Sequence, residues 1–488
     1  MSVLLFEKLS LVLSLILAVL PVLTAARARR LSVTAAWLAA LASATTLVAV
    51  AIRGNATVGL GGSPWTSWVG FDASALTASV ETLILGVGAL VQSFSIRYLH
   101  SDPLASRFAS RAGGVIALMA AVATTDSLLG LVLAWVGAGM AFVSVLGYRR
   151  DLPGTRSCAR SAWRSFAVGD ACLVAALVIA AIVVGPVHLG SAPALGTDLR
   201  RLGAWDDAIS ALVAAAALSR CAQGLFHRWL SLSVSAPTPA CVLLHAGVVN
   251  GGGLLLLRLD PLGTWKPAMA TLLVIAGLTS VWSGAVMSSQ ADVKGSLASS
   301  TRAQMGFMLA ECAVGAYPAA VVHLIGHAMY KGHQFMASGS TVSRPGQLHL
   351  SNSQSPPRRR LLAAAVGLAA AGAATPGVHS GDGWVIVFFA ATSAVATSLS
   401  WASHFPAALR SQWRWPLGLV AASGLYGATA DLVGRFAGRD LTFGGALSPW
   451  WLLVFAAAAW TFPRLVRSAR LPTLGVGTLV EAAPAVLS

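Results

Sequence analysis

Residues 301–340 read TRAQMGFMLAECAVGAYPAAVVHLIGHAMYKGHQFMASGS. Two apolar runs, 301–316 and 318–340, meet at Ala316-Tyr317-Pro318. Each has about the length that carries a helix across ~30 Å of hydrocarbon. Yet between them they hold Glu311, His323, His327 and Lys331. An ionisable side chain at the centre of a span costs on the order of 3 kcal/mol, so each needs a reason to be there. This pattern predicts a membrane helix bundle that carries ions inside it.

Working outward, similar runs recur along the chain, at 9–25, 31–52, 72–94, 112–125, 127–147, 163–185, 204–222, 238–258, 266–286, 361–378, 383–401, 415–434 and 447–463. The 488 residues are 56% hydrophobic and 10% charged, with mean hydropathy +0.74. A soluble domain carries about 25% charged residues, so this chain cannot coat a water-facing surface. The expected fold class is all-α, a polytopic transmembrane helix bundle of about 13–15 spans. The run Leu9–Thr24 resembles a signal peptide, but Ala25-Ala26-Arg27 opens a basic loop in place of a cleavage site. The chain divides into an N-terminal hairpin and Gly-rich outer loop (1–71), a conducting core (72–340), a polar cytoplasmic linker (341–360, including SRPGQLHLSNSQSPPRRR) and a C-terminal transmembrane bundle (361–488).

The net charge of +16 invites a nucleic-acid reading, which its distribution disfavours. Arg and Lys gather in alternate loops, at Arg27/Arg29/Arg30, Arg97/Arg107/Arg111, Arg149–Arg164, Arg344–Arg360 and Arg464–Arg470. That is the positive-inside bias, with the N-terminus outside and the C-terminus cytoplasmic. No nucleic-acid partner is expected; the lipid bilayer is. The five cysteines show no CxxC spacing and read as small packing residues.

His323, His327 and Lys331 are spaced i, i+4, i+8, which stacks them on one helix face over about 12 Å. Such a file suits proton hopping, since neutral imidazole both donates and accepts. A two-histidine metal site is disfavoured, because no carboxylate or cysteine lies close by in sequence to complete it. His245 stands mid-span with Asn250 five residues on; it is either a packed core histidine or a relay member. Arg220 cannot release a proton at physiological pH, so its part would be electrostatic. Lys294 is intramembrane if its helix starts early, and otherwise a loop cation. Glu81, Asp126, Asp170 and Glu311 are the carboxylates in or beside spans. Glu81 and Glu311 lie deepest, and Asp126 and Asp170 are candidate helix caps. Ser219–Leu225, Ala236-Pro237-Thr238-Pro239 and Ala374-Thr375-Pro376-Gly377 interrupt apolar runs. Paired breaks at membrane depth suggest inverted repeats around a hydrated cavity.

The ordered phrases WVGAGMAFVSVLGYRR (135–150), SAPTPACVLLHAGVVNGGGLLLLR (235–258) and QADVKGSLASSTRAQMGFMLAECAVGAYPAAVVHLIGHAMYKGHQF (290–335) resemble proton-translocating chain-5-like subunits. These belong to respiratory NADH–quinone oxidoreductase and to multisubunit cation/proton antiporters. Within that antiporter-like family the chain looks most similar to the DabB membrane subunits of DAB inorganic-carbon accumulation complexes, over roughly residues 80–340. The resemblance implies a proton or Na+ path through His245 (the LIHA histidine), Lys294 (the DIK lysine), and His323, His327 and Lys331 (the HxxxHxxxK motif). It places Arg220 at the lysine of the SAQ motif and Asp170 at the aspartate of the VGD motif; Glu311 joins them on its depth alone. It further implies a large cytoplasmic DabA-type zinc protein, related to β-carbonic anhydrases, that converts CO2 to bicarbonate. No cofactor or metal is then expected in this chain, and the zinc belongs to the partner. The expected location is the bacterial inner membrane, and the chain itself is expected not to be an enzyme.

Two departures stand out. Val136 occupies the WEG glutamate position, and Arg220 replaces the lysine. After Lys331 only His379, Asp382 and His404 could extend the path. The rival readings are a subunit of a monovalent cation/proton antiporter or of a respiratory or hydrogenase-type pump, and a scaffold that no longer conducts.

Overall fold

A computed structural model describes residues 3–339 apart from 25–28, 60–69, 150, 152, 190–204, 260–265, 288–289 and 291, with a few further positions between 424 and 433. The spans expected after 360, the linker, and His379, Asp382 and His404 lie outside the described residues.

Helix α1 (Val3–Thr24) pairs with α2 (Arg29–Arg53); α1 packs on α4 (Ala105–Thr124), and α2 packs on α3 (Ala75–Tyr98), which also packs on α4. The Gly-rich segment after α2 is not all loop: β1 (Ala56–Gly59) and β2 (Gly70–Ala73) pair antiparallel, Ala56 with Ala73. Next come α5 (Leu128–Leu146), α6 (Pro153–Val183), α7 (Trp205–Arg220) and the short α8 (Arg228–Leu232). A broken span follows, α9 (Thr238–Ala246), a 3-10 turn and α10 (Gly251–Arg258), and then α11 (Lys266–Met287), α12 (Val293–Ala313) and α13 (Tyr317–Ala337).

Local chemistry sets the ends. Ser74 accepts from Thr77 N–H in a capping box, Ser127 accepts from Gly130 N–H, and Asp292 accepts from Gly295 N–H. The expected start at 112 is therefore corrected to Ala105 for α4, and 163 to Pro153 for α6. In both, a first turn or more carries Arg and Ser beyond the apolar run, and hydropathy alone does not see it. Helix α12 starts at Val293 for the same reason, which brings Lys294 into its first turn.

Seven helical stretches among the described residues are long and apolar enough to cross a membrane. Burial is inverted relative to a water-soluble protein. Leu41, Ile52, Leu133, Met140 and Ile182 point outward, while Glu81, Glu311, His245 and Lys331 are 0% exposed. Apolar side chains outside and charges inside are what a lipid solvent selects. The chain is a multi-pass membrane protein.

Candidate ion-conducting site

Two breaks build the interior. Helix α7 stops at Arg220, where Ala222 takes a positive φ of 56° and Gln223 is extended. Gln223 Nε2 repairs the damage by donating to Cys221 O (2.7 Å) and Arg302 O (3.1 Å). The second break follows His245: Gly247 leaves helical geometry, and Val248–Asn250 form a 3-10 turn. Asn250 Nδ2 donates to the freed Ala246 carbonyl at 3.1 Å. Both breaks are thus satisfied by amide side chains from inside the bundle.

Helices α12 and α13 form a tight hairpin about Val314–Ala316, and Glu311 meets His323 across it. His323 Nδ1 lies 2.9 Å from Glu311 Oε2, so a carboxylate does reach the histidine file in space, although it lies 12 residues away in sequence. One turn on, His327 Nδ1 is 3.0 Å from Asn250 Oδ1. Asn250 spends its amide on Ala246, so its oxygen must accept and His327 Nδ1 carries the hydrogen. His327 Nε2 is then a lone-pair acceptor, buried and without a partner. The His323 and His327 rings stand 6.2 Å apart.

Lys331 is fully buried, and its Nζ reaches Leu297 O at 3.4 Å. His245 lies flat on Phe335 with centroids 4.2 Å apart, both ring nitrogens unpartnered, in the field of Lys331 and Lys294. Lys294 is half-buried and donates to Ala236 O at 3.1 Å, a carbonyl exposed by the Pro237 break. The six side chains Glu311, His323, His327, Lys331, His245 and Lys294 therefore share one interior. Among the described residues no group of three His, Cys, Asp or Glu could hold a metal ion.

Arg220 and Asp170 form a second cluster. Arg220 Nη2 donates to Asp170 Oδ1 at 2.8 Å and to Trp135 O at 3.3 Å. The guanidinium is sandwiched between Trp135 (4.2 Å) and Phe166 (4.4 Å). Asp170 is therefore an ion-pair partner in the middle of α6 and does not cap a helix. Asp126 likewise pairs with His188 at 3.1 Å, and the cap of α5 is Ser127. Gly139 and Gly251 make room for Arg220; a Cβ on Gly139 would lie 2.9 Å from Nη2. Sequence reading missed the role of Asn250 and a third buried pair, Arg258–Asp72 at 3.4 Å. The Gly-rich run after Asn250 was the available sign of a second break.

The family model described as NADH:quinone oxidoreductase/Mrp antiporter, TM, matches residues 125–405, more than half of the chain and the whole of this interior. The chain belongs to that antiporter-like family. A second model, the complex I chain 5 N-terminus, matches residues 64–109. Similar relatives include the probable inorganic carbon transporter subunit DabB1 of Halothiobacillus neapolitanus, 32% identical over 64% of this chain and 58% of its own length. Another is the probable inorganic carbon transporter subunit DabB of Bacillus anthracis, 28% identical over 81% of this chain and 73% of its own. The chain thus spans about three-fifths to three-quarters of the length of these relatives. Among solved structures, the Mrp complex from a Dietzia species superposes with TM-score 0.64 at 22% identity, covering 98% of this chain and 59% of that one. That likeness shows the antiporter-like fold. Within this family frame the position of Val136 is filled by a partly buried apolar residue beside Trp135, and the acid that meets Arg220 is Asp170 on the next helix.

Proposed function

We propose that this chain is the proton- or cation-conducting membrane subunit of an inorganic-carbon accumulation complex. The observation that carries the conducting role is the buried row Glu311–His323–His327–Lys331, with His245 and Lys294 continuing it. A proton arriving at His327 Nε2 makes an imidazolium whose Nδ1–H remains held by Asn250. Glu311 and His323 are in direct contact at 2.9 Å, whereas the His323 and His327 rings stand 6.2 Å apart, so transfer between the two histidines needs a bridging water. Lys331 takes or returns the proton at the far end, and Lys294 leads toward the basic face. Arg220 keeps its charge and sets the field, with Asp170 as its counter-ion.

The inorganic-carbon assignment is supported by the relatives named as probable inorganic carbon transporter subunits. The complex sits in the bacterial inner membrane, N-terminus outside and C-terminus cytoplasmic. Its partner is a large cytoplasmic DabA-type zinc protein related to β-carbonic anhydrases. Cation flow through the row drives that partner's conversion of CO2 to bicarbonate; the zinc and the catalysis belong to the partner.

The test is growth in air of a bacterial strain lacking carbonic anhydrase, expressing this chain with and without its large soluble neighbour. Rescue should need both proteins, fail with an uncoupler, and be lost in His327→Ala and Lys331→Ala while the variants still insert. Failure of rescue with both proteins membrane-bound would favour the antiporter or redox-pump reading, and wild-type growth of both variants would refute the row.

A further inference from the structure

A cavity of about 330 Å³ opens between α4, α5 and the α5–α6 turn, apart from the row. Leu104, Arg107, Arg111, Gly147, Tyr148 and Asp151 line it. Its volume lies at the small end of the range that holds small ligands. Arg107 and Arg111 are one turn apart on α4 and so share a face. Arg111 Nη1 donates to Ser144 O at 2.6 Å, which fixes the side chain against the end of α5. Arg107 is exposed and makes no hydrogen bond or ion pair among the described residues.

The two carboxylates at this end are already engaged. Asp102 accepts from Tyr148 Oη at 3.0 Å, from Leu104 N–H at 2.8 Å and from Arg149 Nη1 at 3.3 Å. Asp151 accepts from Arg149 Nε at 3.0 Å and from Nη2 at 2.7 Å. Arg149 thus holds both acids, and Arg156 adds a further positive charge in the field of Asp151. The mouth of the cavity is net positive, and the ligand it suits is an anion.

The setting selects the anion. Helix α5 has 19 residues without a charged side chain, about 28 Å of helix, so its end at Leu146 falls near one boundary of a ~30 Å hydrocarbon layer. Leu133 and Met140 point outward on α5, and Gly147 follows Met140 at the same spacing of two turns. The cavity therefore lies at the foot of a lipid-facing stripe, where an acyl chain running along α5 brings its headgroup. A guanidinium fork matches two oxygens of a phosphate, and basic pockets between helices at a membrane surface suit anionic headgroups. We propose that Arg107 and Arg111 bind the phosphate of an anionic phospholipid whose chains lie along the α5 face carrying Leu133 and Met140. A free phosphate shares the chemistry of the headgroup but gains nothing from the stripe. The bound lipid joins α4 to the α5–α6 turn at a place separate from the conducting row.

The test is native mass spectrometry of the purified, delipidated full-length chain with added phosphatidylglycerol, phosphatidylcholine or inorganic phosphate. Wild type should retain one phosphatidylglycerol about tenfold more tightly than phosphatidylcholine, and excess inorganic phosphate should not displace it. Arg107→Gln should weaken that lipid about fivefold, the effect of one arginine at a membrane surface. Arg107→Gln combined with Arg111→Gln should abolish the preference. Arg164→Gln, at an exposed position of α6 outside the cavity, should leave it unchanged. Equal retention of the two lipids by wild type overturns the proposal, as does a double variant that keeps the preference. An equal loss in Arg164→Gln overturns it too, because the preference then belongs to general basicity. Displacement by inorganic phosphate assigns the arginines to a free anion and overturns the lipid. Should the double variant fail to fold, Arg107→Gln decides, since that side chain is exposed.

Discussion

Asp170→Asn removes the one carboxylate that pairs with Arg220 among the described residues while changing almost no volume. Arg220 is 2% exposed and Asp170 14%, with 2.8 Å between them. Removing one member of a buried pair costs about 3–5 kcal/mol, because the other charge stays behind without compensation. Here the loss is partly offset. The asparagine carbonyl still accepts a hydrogen bond, Trp135 O remains, and two ring faces at 4.2 and 4.4 Å hold the guanidinium, worth up to about 2 kcal/mol when desolvated. The net expectation is a loss of about 2–4 kcal/mol. The assay is SDS-titrated unfolding of the full-length protein in mild detergent, followed by fluorescence of the buried tryptophans. A cycle adds the decisive term: Asp170→Leu with Arg220→Met removes both charges and should lie within about 1 kcal/mol of wild type. Additive single and double effects, or a cost for Asp170→Asn below about 0.5 kcal/mol, would refute the claim that this pair is a coupled structural charge.

Asn250→Leu should cut proton flux in proteoliposomes by about a hundredfold in folded protein, because His327 Nδ1–H loses its acceptor and the ring its orientation. Unchanged flux would remove Asn250 from the path. Gly139→Ala should cost about 1–3 kcal/mol in the same unfolding assay, since the pinned guanidinium lies 2.9 Å from the new Cβ and cannot swing away. Gly326→Ala, where a Cβ meets nothing within 4 Å, should instead stabilise α13 by about 0.5–1 kcal/mol. At the α5–α6 turn, the Arg149 guanidinium 2.7 Å from Asp151 holds its carboxyl below the ordinary carboxylate range. The contribution of that contact is present at neutral pH and lost as the pH falls through the depressed value. Protection factors of the amides at 154–156, corrected for the intrinsic pH dependence of exchange, should therefore fall only below about pH 4, and Asp151→Asn should show the lowered protection at neutral pH.

How much of this was legible in the sequence depends on whether a contact is local. The membrane class, the break after Arg220 and the His323–His327–Lys331 file all follow from composition and spacing within single segments, whereas the break at Gly247–Asn250 inside the expected span 238–258 did not. The Glu311–His323 contact was harder to read. Glu311 lies four residues before Gly315 and His323 eight after it, so simple mirroring about the turn does not set them opposite. Asn250 was harder, because its role comes from a helix break that turns its side chain toward α13, 77 residues away in sequence. Asp170 was offered both as a helix cap and, through the resemblance, as the VGD aspartate; the cap reading rests on short polar side chains usually acting locally. It sits in the middle of a 31-residue helix, where that role does not exist and a distant cation does. The hidden starts of α4, α6 and α12 have one cause: arginine, lysine and serine continue a helix past the membrane without adding hydropathy.

The two charge clusters differ in the freedom of their atoms, and that difference assigns their parts. Arg220 is hydrogen-bonded at two points, stacked on both faces, and confined by Gly139 and Gly251. None of that geometry can change when a proton passes, and its guanidinium does not titrate at physiological pH. By contrast, His327 Nε2, both nitrogens of His245 and most of the capacity of Lys331 face the interior without a protein partner. Unspent donor and acceptor capacity at buried sites is costly unless water or a moving ion uses it. Asp170 already pairs with Arg220 at 2.8 Å, so Arg220 has its counter-ion without an acidic side chain at the position of Val136. On the function proposed above, the first cluster would act as a fixed field source, and the titratable work would fall on His245 and the residues from Lys294 to Lys331.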